Sequence, residues 1–435
     1  MRLMFLLSAL AYAQDTLPLS LKRAVEIALA PEGSPKVALA EESIKQSQTG
    51  VAQARAAFLP DIESSVTDQS ETVNLRTFGL NFPLPAGLSF PSLVGPFTVF
   101  DARATAQQSV FDFSSIRKYQ SSKVSVEATK ADAETTRNQV SDAVARAYLA
   151  CLRADAKLET ERANVDLSDA LLKQTNRQKT AGTGLAIEVT RAQVQLANDR
   201  QNLIVAENDR RKAVLQLLRA MGLHLDAHIE FTDKLAYKPV DVGPMEAALE
   251  KASKERAELK AQAKREEIAR LNYGSVKAER LPSLSAFGNY GTTGEDIIGA
   301  MPTRAVGITL KVPIFDGGRR DARRAESLSE LRQEQIRTRD VKQQVDLDVR
   351  LALDSIHSAE SQVETARQGL ELSENELAQA RRRYDGGVAN SIEVTDAQTR
   401  LDRARDNQIA ALYNYNLARL DLATATGSIA EYLNQ

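Results

Sequence analysis

The sequence predicts a mainly α protein with a membrane β-barrel part, built from two structural repeats of a strand hairpin plus long coiled-coil helices. Three observations predict it. The first is a segment written twice. Ile187-Glu188-Val189-Thr190-Arg191-Ala192-Gln193, followed by Leu196 and Arg200, returns 205 positions later as Ile392-Glu393-Val394-Thr395-Asp396-Ala397-Gln398, Leu401 and Arg405. An in-register repeat of this length marks two copies of one supersecondary unit, neither able to bury its apolar face alone, so the copies pack side by side. The second is a pair of proline-free windows, one from Pro96 to Pro239 and one after Pro313, both dense in strong helix formers. The third is a set of short alternating stretches in the gaps between them.

Residues 1–13 carry one early cation, Arg2, an apolar run from Leu3 to Leu10 and the small-x-small site Ala11-Tyr12-Ala13. This is the layout of a secretory signal peptide. Repeat 1 is set at 14–230 and repeat 2 at 231–435. Gly182 matches Gly387 and Gly222 matches Gly427 at the same offset, while Leu59-Pro60 matches Leu281-Pro282 at a larger one. Copy one therefore carries a surplus, assigned to a longer loop from Phe78 to Phe100.

Within the first window Val144, Cys151, Leu158, Val165 and Leu172 recur every seven residues. Val349, Ile356, Val363, Leu370 and Leu377 do the same in the second. A strict heptad keeps one seam against a partner helix. Long helices are expected over 114–181 and 317–385, each about 100 Å at 1.5 Å per residue. The chain reverses at Gly182 and Gly184, and again at Gly386 and Gly387. Return helices follow over 187–222 and 390–426. An N-terminal helix and a helix over 243–279 complete the set.

Val306, Ile308, Leu310 and Val312 alternate with Ala305, Gly307, Thr309 and Lys311, the pattern of a strand with one apolar face. Strands are expected near 281–293 and 303–315, around a turn from Gly294 to Pro302. Weaker counterparts lie near 59–70 and 101–112, through Ile62, Ser64, Val66, Ala104, Ala106, Gln108 and Val110. Strands of about ten residues cross an outer membrane when tilted. Four strands do not close a barrel and an open edge is not stable in lipid, so several protomers are needed.

The chain is 43% hydrophobic and 26% charged with net charge −2, which leaves no basic footprint for nucleic acid. No catalytic Ser/His/Asp arrangement, phosphate-cradling glycine loop or clustered metal ligands are present, so the reading is not an enzyme and needs no cofactor. Cys151 reads as a small apolar seam residue. His224 and His228, four apart, lack supporting ligands. Tryptophan is absent, so Phe82, Phe90, Phe97, Phe287 and Tyr290 are the candidates for membrane-interface aromatics.

Leu281 to Ser285, the Phe315 to Gly318 corner, the Tyr384 to Gln398 segment and the Leu19-Ser20-Leu21 opening together resemble the TolC-like outer membrane factor family. The resemblance covers nearly the whole chain after the signal. It implies a homotrimer with a 12-stranded β-barrel in outer membrane lipid, continued by a 12-helix α-barrel across the periplasm. It also implies two partners, a periplasmic adaptor and an inner membrane transporter, and a role in efflux or type I secretion. By the same resemblance, Glu188, Glu393, Asp396 and Tyr384 belong to the periplasmic pore mouth. Gly182, Thr183, Gly386, Gly387 and Val388 belong to adaptor-docking turns, and Val306, Ile308, Leu310 and Val312 face lipid. Ala389 stands where the family's pattern has an arginine that locks the mouth, leaving Arg191 or Arg383 as substitutes. A periplasmic coiled-coil adaptor or scaffold is the competing reading, and it needs neither duplication nor strands.

Overall fold

The computed structural model describes residues 17–78, 92–240 and 242–434. The expected signal peptide and the aromatics Phe82 and Phe90 lie outside them. The first half runs β1 (Leu17–Leu19), α1 (Leu21–Leu29), α2 (Pro35–Ala56), β2 (Asp61–Asn74), β3 (Leu93–Phe111), α3 (Phe113–Thr180) and α4 (Ala186–Met221). The second half runs β4 (Ile229–Phe231), α5 (Met245–Glu255), α6 (Ala257–Ala278), β5 (Ser283–Gly294), β6 (Met301–Lys311), α7 (Arg319–Asp385), α8 (Ser391–Thr426) and α9 (Ile429–Tyr432).

The chain divides into two compact units that cut across the sequence repeats. One comprises Met1–Ser43, Lys130–Ala261 and Arg339–Gln435; the other comprises Ile44–Thr129 and Gln262–Thr338. Each unit draws on both copies, as side-by-side packing requires.

The second unit holds a four-stranded antiparallel sheet in the order β2-β3-β5-β6. Its central pairing, β3 with β5, joins copy one to copy two, with Ala104 opposite Tyr290. Copy one's strands are longer than expected. Leu93 to Phe100, assigned to a loop, continue β3, and Val99 and Phe97 pair with Gln69 and Glu71. Apolar residues there fall on both faces, Leu93, Phe97 and Val99 on one and Val94 and Phe100 on the other, around Gly95-Pro96, so no period-two alternation marks a strand.

In the first unit the heptad seams are buried. Val349 and Ile356 are fully covered, as are Val144 and Cys151. Burial pushes the Cys151 thiol up to about 12, so it behaves as a small apolar side chain. Separate apolar clusters join α3 with α4 and α7 with α8, the latter through Ile356, Val363, Ala411 and Tyr415. No helix of the described residues is long and apolar enough to cross a membrane.

The helix expected over 243–279 is two helices, α5 and α6, broken at Arg256 without proline or glycine. The Arg256 guanidinium donates to the Thr424 and Ala425 carbonyls at the end of α8 and pairs with Asp348. A Cβ on Gly427, the C-cap of α8, would lie 3.0 Å from Glu255. Gly222 abuts Gly33 in the same way, in the gap between α1 and α2. Each return helix thus ends against a break in the opposite segment, and the glycine permits the close approach. A parallel pair of short strands, β1 with β4, was not foreseen.

Candidate functional site

The two helical reversals use the same backbone device. Gly182 and Gly387 adopt φ of +76° and +72°, the left-handed conformation that closes a helix. Val388 N–H then donates to the Arg383 carbonyl and Gly387 N–H to that of Tyr384. In copy one Thr183 and Gly184 N–H groups both donate to the Gln178 carbonyl. Gly184 is constrained by space, since a Cβ would lie 2.9 Å from that of Gln178. Gly386 has an ordinary φ and sits under the last turn of α7. Thr183 is exposed, and Leu185 and Val388 are 67% and 70% exposed. Both tips therefore present apolar side chains to solvent.

The acidic residues beside these turns have different surroundings. Asn390 caps α8, its side chain accepting from Ile392 and Glu393 N–H groups. Glu393 is consequently free to pair elsewhere, and its carboxylate lies 2.9 Å from Arg383. Leu185 has no side-chain acceptor, so Glu188 reaches back to the Leu185 N–H at 3.4 Å. That bond is half of a capping box. Asp396 is exposed with no ion-pair partner within 4 Å among the described residues. Of the two cations considered in place of the arginine missing at Ala389, Arg383 is engaged and Arg191 makes no such pair.

Tyr384, beside the same turn, packs inward. Its ring is 5% exposed, within a cluster of Leu171, Ala192, Val394 and Leu401. Its hydroxyl donates to Gln178 Oε1 of α3, so it ties the second helical hairpin to the first. Burial, then the nearby Glu188 charge, raises its phenol above the ordinary value.

A second polar feature escaped sequence reasoning. Glu161, Ser168 and Thr175 occupy heptad spacing on α3 and are at most 2% exposed. The Lys157 ammonium lies 2.5 Å from Glu161 and 2.5 Å from Asp406 of α8. Asn164 donates to Asp402 and accepts from Arg405, while Ser168 donates to Asp199 of α4. Glu161, Asp402 and Asp406 approach within 4.8 Å of one another, but Lys157 bridges two of the three. Burial, then the Glu161 charge, raises the Asp402 carboxyl; burial also raises that of Asp199. The available signal was a difference between copies, because Ala366 and Ala404 stand 205 positions after Glu161 and Asp199.

The sheet has one mainly apolar face and one mainly polar face, although Arg304, opposite Tyr290, shares the parity of Val306. Val306, Ile308 and Leu310 share a face with Gly288, Ala286 and Leu284 opposite them on β5. Ala106 and Ile62 continue the Val306 row across β3 and β2. Val312 lies just past the end of β6 and is exposed. The other face carries Thr309 opposite Ser285, Asn289 opposite Thr105 and Thr105 opposite Glu63. Tyr290 is on the apolar face, but Phe287 is not. Its ring covers Gly307 on the polar face, 2.6 Å from where a Cβ would be, and Phe97 shares that parity opposite Glu71. Both are withdrawn as membrane-interface aromatics.

A duplicated subunit with an apolar-faced sheet, open edges and long helical hairpins defines the class of outer membrane channel proteins. The family model for outer membrane efflux protein matches residues 27–223 and 248–428, and the chain belongs to that family. Its place is the cell outer membrane, with the helical part in the periplasm. It is 27% identical over 299 residues to outer membrane protein TolC of Vibrio cholerae, covering 66% of this chain and 67% of that protein. It is 26% identical over 418 residues to the pyoverdine export outer membrane protein OpmQ of Pseudomonas putida, covering 93% and 84%. The fold matches VceC from Vibrio cholerae with a TM-score of 0.79 at 19% identity, over 94% of this chain and 96% of that one. It matches the Campylobacter jejuni CmeC channel at 0.81 and 16% identity, over 95% and 88%.

Proposed function

We propose that three copies of this chain form one passive exit duct, a 12-stranded barrel continued by a 12-helix tunnel, fed by a periplasmic adaptor and an energised inner membrane transporter. The observation that carries it is the pair of open sheet edges. β2 and β6 each have one unpaired side, and unpaired backbone groups are not tolerated in hydrocarbon. Pairing β6 of one copy with β2 of the next removes every edge, with Val306, Ile308, Leu310 and Val312 facing lipid.

The helices support the same closure. Within one chain α8 seats on α3 through Asp402 with Asn164 and Asp406 with Lys157. Moving each residue by the 205-residue repeat maps these pairs onto Ala197 with Gly369 and Gln201 with Gln362, α4 against α7. The groove between α7 and α8 at that place is open, about 900 Å³, and lined by Gln362, Ala366, Gly369, Arg400 and Ala404. The α4 face that fits it exposes Val194, Ile204 and Leu215, whereas Leu420, the repeat partner of Leu215, is fully buried. A second copy's α4 fills the groove.

Assembly brings three copies of Glu188, Glu393 and Asp396 to one mouth, where negative charge favours cations. The turns at Gly182, Thr183, Gly386, Gly387 and Val388 dock the adaptor. Export and secretion both appear in the relatives' names, pyoverdine export for OpmQ and alkaline protease secretion for AprF of Pseudomonas aeruginosa. A coiled-coil scaffold would not need the sheet.

The test is disulfide trapping in isolated outer membranes with Gln201→Cys and Gln362→Cys together. Oxidation should give a covalent ladder ending at three copies, with neither single variant giving one. A double variant that stays monomeric while integrated in the membrane would sink this arrangement.

A further inference from the structure

The strand-to-helix corner of copy two carries an unexpected charge. α7 opens with Arg319, Arg320, Arg323 and Arg324 in its first six residues. A helix N-terminus disfavours cations, because its unpaired N–H groups present partial positive charge. These arginines therefore do not serve helix stability. Copy one, at the equivalent corner, has Ser115, Ile116, Tyr119 and Gln120 at the four matching positions and two cations between them, Arg117 and Lys118.

Carboxylates neutralise only part of the cluster. Arg320 pairs with Asp316 at 3.3 Å, Arg323 with Glu279 at 2.8 Å, and Arg280 with Asp321. Arg319 is left at 4.0 Å from the already paired Asp316, with its side chain 76% exposed. Arg324 reaches only the Tyr273 hydroxyl, at 3.5 Å. The Tyr273 phenol is held below its usual value by that bond, with the charges of Lys277 and Arg332 adding to it.

Just before the arginines, Ile314 and Phe315 are 92% and 86% exposed, continuing the apolar stripe of Leu310 and Val312 past the end of β6. Gly317 and Gly318, both at positive φ, then turn the chain into α7. Apolar side chains and surplus guanidiniums thus follow one another within a few residues at one end of the apolar sheet face. That order matches the order of acyl chain and phosphate in a phospholipid.

We propose that this corner binds the phosphate of an anionic phospholipid in the periplasm-facing leaflet, with Ile314 and Phe315 against the acyl chains and the exposed Arg319 on the headgroup. It rests on the reading of the apolar sheet face as lipid-facing. Guanidinium suits phosphate because its donors match the oxygens in pairs.

The experiment is native mass spectrometry of the full-length protein, extracted in mild detergent and doped with either dioleoylphosphatidylglycerol or dioleoylphosphatidylcholine. The unaltered protein should retain the anionic lipid preferentially, with the Arg319→Gln variant losing about fivefold in retention and the Arg324→Gln variant, whose side chain faces Tyr273, keeping it. An Arg162→Gln control on α3 should match the unaltered protein. Inorganic phosphate at the same concentration should not displace the lipid; displacement would mean a free-anion site and overturn the proposal. Equal retention of both lipids, or a preference untouched in the Arg319→Gln variant, would also overturn it. Membrane integration is read first. Integration without headgroup preference refutes this site alone, whereas failure of the unaltered chain to integrate refutes the lipid-facing sheet beneath it.

Discussion

The Arg383 guanidinium lies 2.9 Å from the Glu393 carboxylate, across the glycine turn between α7 and α8. The chain thereby neutralises one of the three carboxylates proposed for the mouth and leaves Glu188 and Asp396 without an ion pair among the described residues. Both partners are about half exposed, so the pair adds little to stability, about 0–1 kcal/mol. Its effect is on the field at the proposed mouth.

That arrangement predicts an order of effects on ion selectivity. Asp396→Asn should reduce cation preference more than Glu393→Gln, and Arg383→Ala should increase it by releasing the Glu393 charge. Reversal potentials in planar bilayers under a salt gradient read this directly. Glu393→Gln having the larger effect, or Arg383→Ala having none, would show that the ion pair does not persist in the open channel.

The turn glycines should be sensitive for conformational reasons alone. Nothing lies within 4 Å of a Cβ added at Gly182 or Gly387, so Ala at either position meets no clash but must adopt a left-handed backbone, at about 1–2 kcal/mol. Faster proteolytic cleavage at the turn is expected for Gly387→Ala, with Gly387→Asn intermediate because asparagine tolerates that region better. Identical cleavage rates in all three proteins would remove the strain argument.

The buried carboxylates predict a pH dependence with a definite sign. Burial, then the charge of Glu161, raises Asp402 above its usual 3.8. The folded state therefore holds a proton that the unfolded chain releases. The stabilising increment is fully present below about 3.8 and lost as pH rises through the raised folded value. Asp402→Asn should flatten this part of the thermal stability profile, and by removing a charge beside Glu161 raise stability at neutral pH. A variant profile parallel to that of the unaltered protein would contradict the assignment.

Strand faces are tested by a pair of neighbours. Ile308→Arg places a charge among Ala286 and its apolar row, costing roughly 2–4 kcal/mol near the bilayer centre, whereas Thr309→Arg joins the polar face opposite Ser285. Membrane assembly should fall in the first and persist in the second, measured as heat-resistant oligomer in the outer membrane fraction. Equal loss in both would invert or abolish the faces.

Much of the fold was legible because its signals are local. Heptads through Val349 and Ile356, the absence of proline, and alternation through Ile308 each act within one element. The features missed are imposed from elsewhere in the chain. Arg256 breaks a helix because the end of α8 supplies carbonyls to its guanidinium, and no residue near it announces this. Phe287 lies on the polar face because its ring fills the space Gly307 leaves on the neighbouring strand, which only the β5–β6 register reveals. The hydroxyl of Tyr384 finds its partner, Gln178, in the other repeat, which no residue near it announces. Glu161, Ser168 and Thr175 were hidden by the heptad itself, since polar residues at seam spacing read as interruptions until Lys157, Asn164 and Asp406 are seen around them.

The account turns on closure by identical copies. Light scattering of the protein extracted from outer membranes, corrected for bound detergent, should give three times the chain mass of 47.6 kDa, less any leader removed from each copy. A single-chain mass for fully membrane-integrated protein would contradict it, because one four-stranded sheet would then have to keep both open edges in lipid.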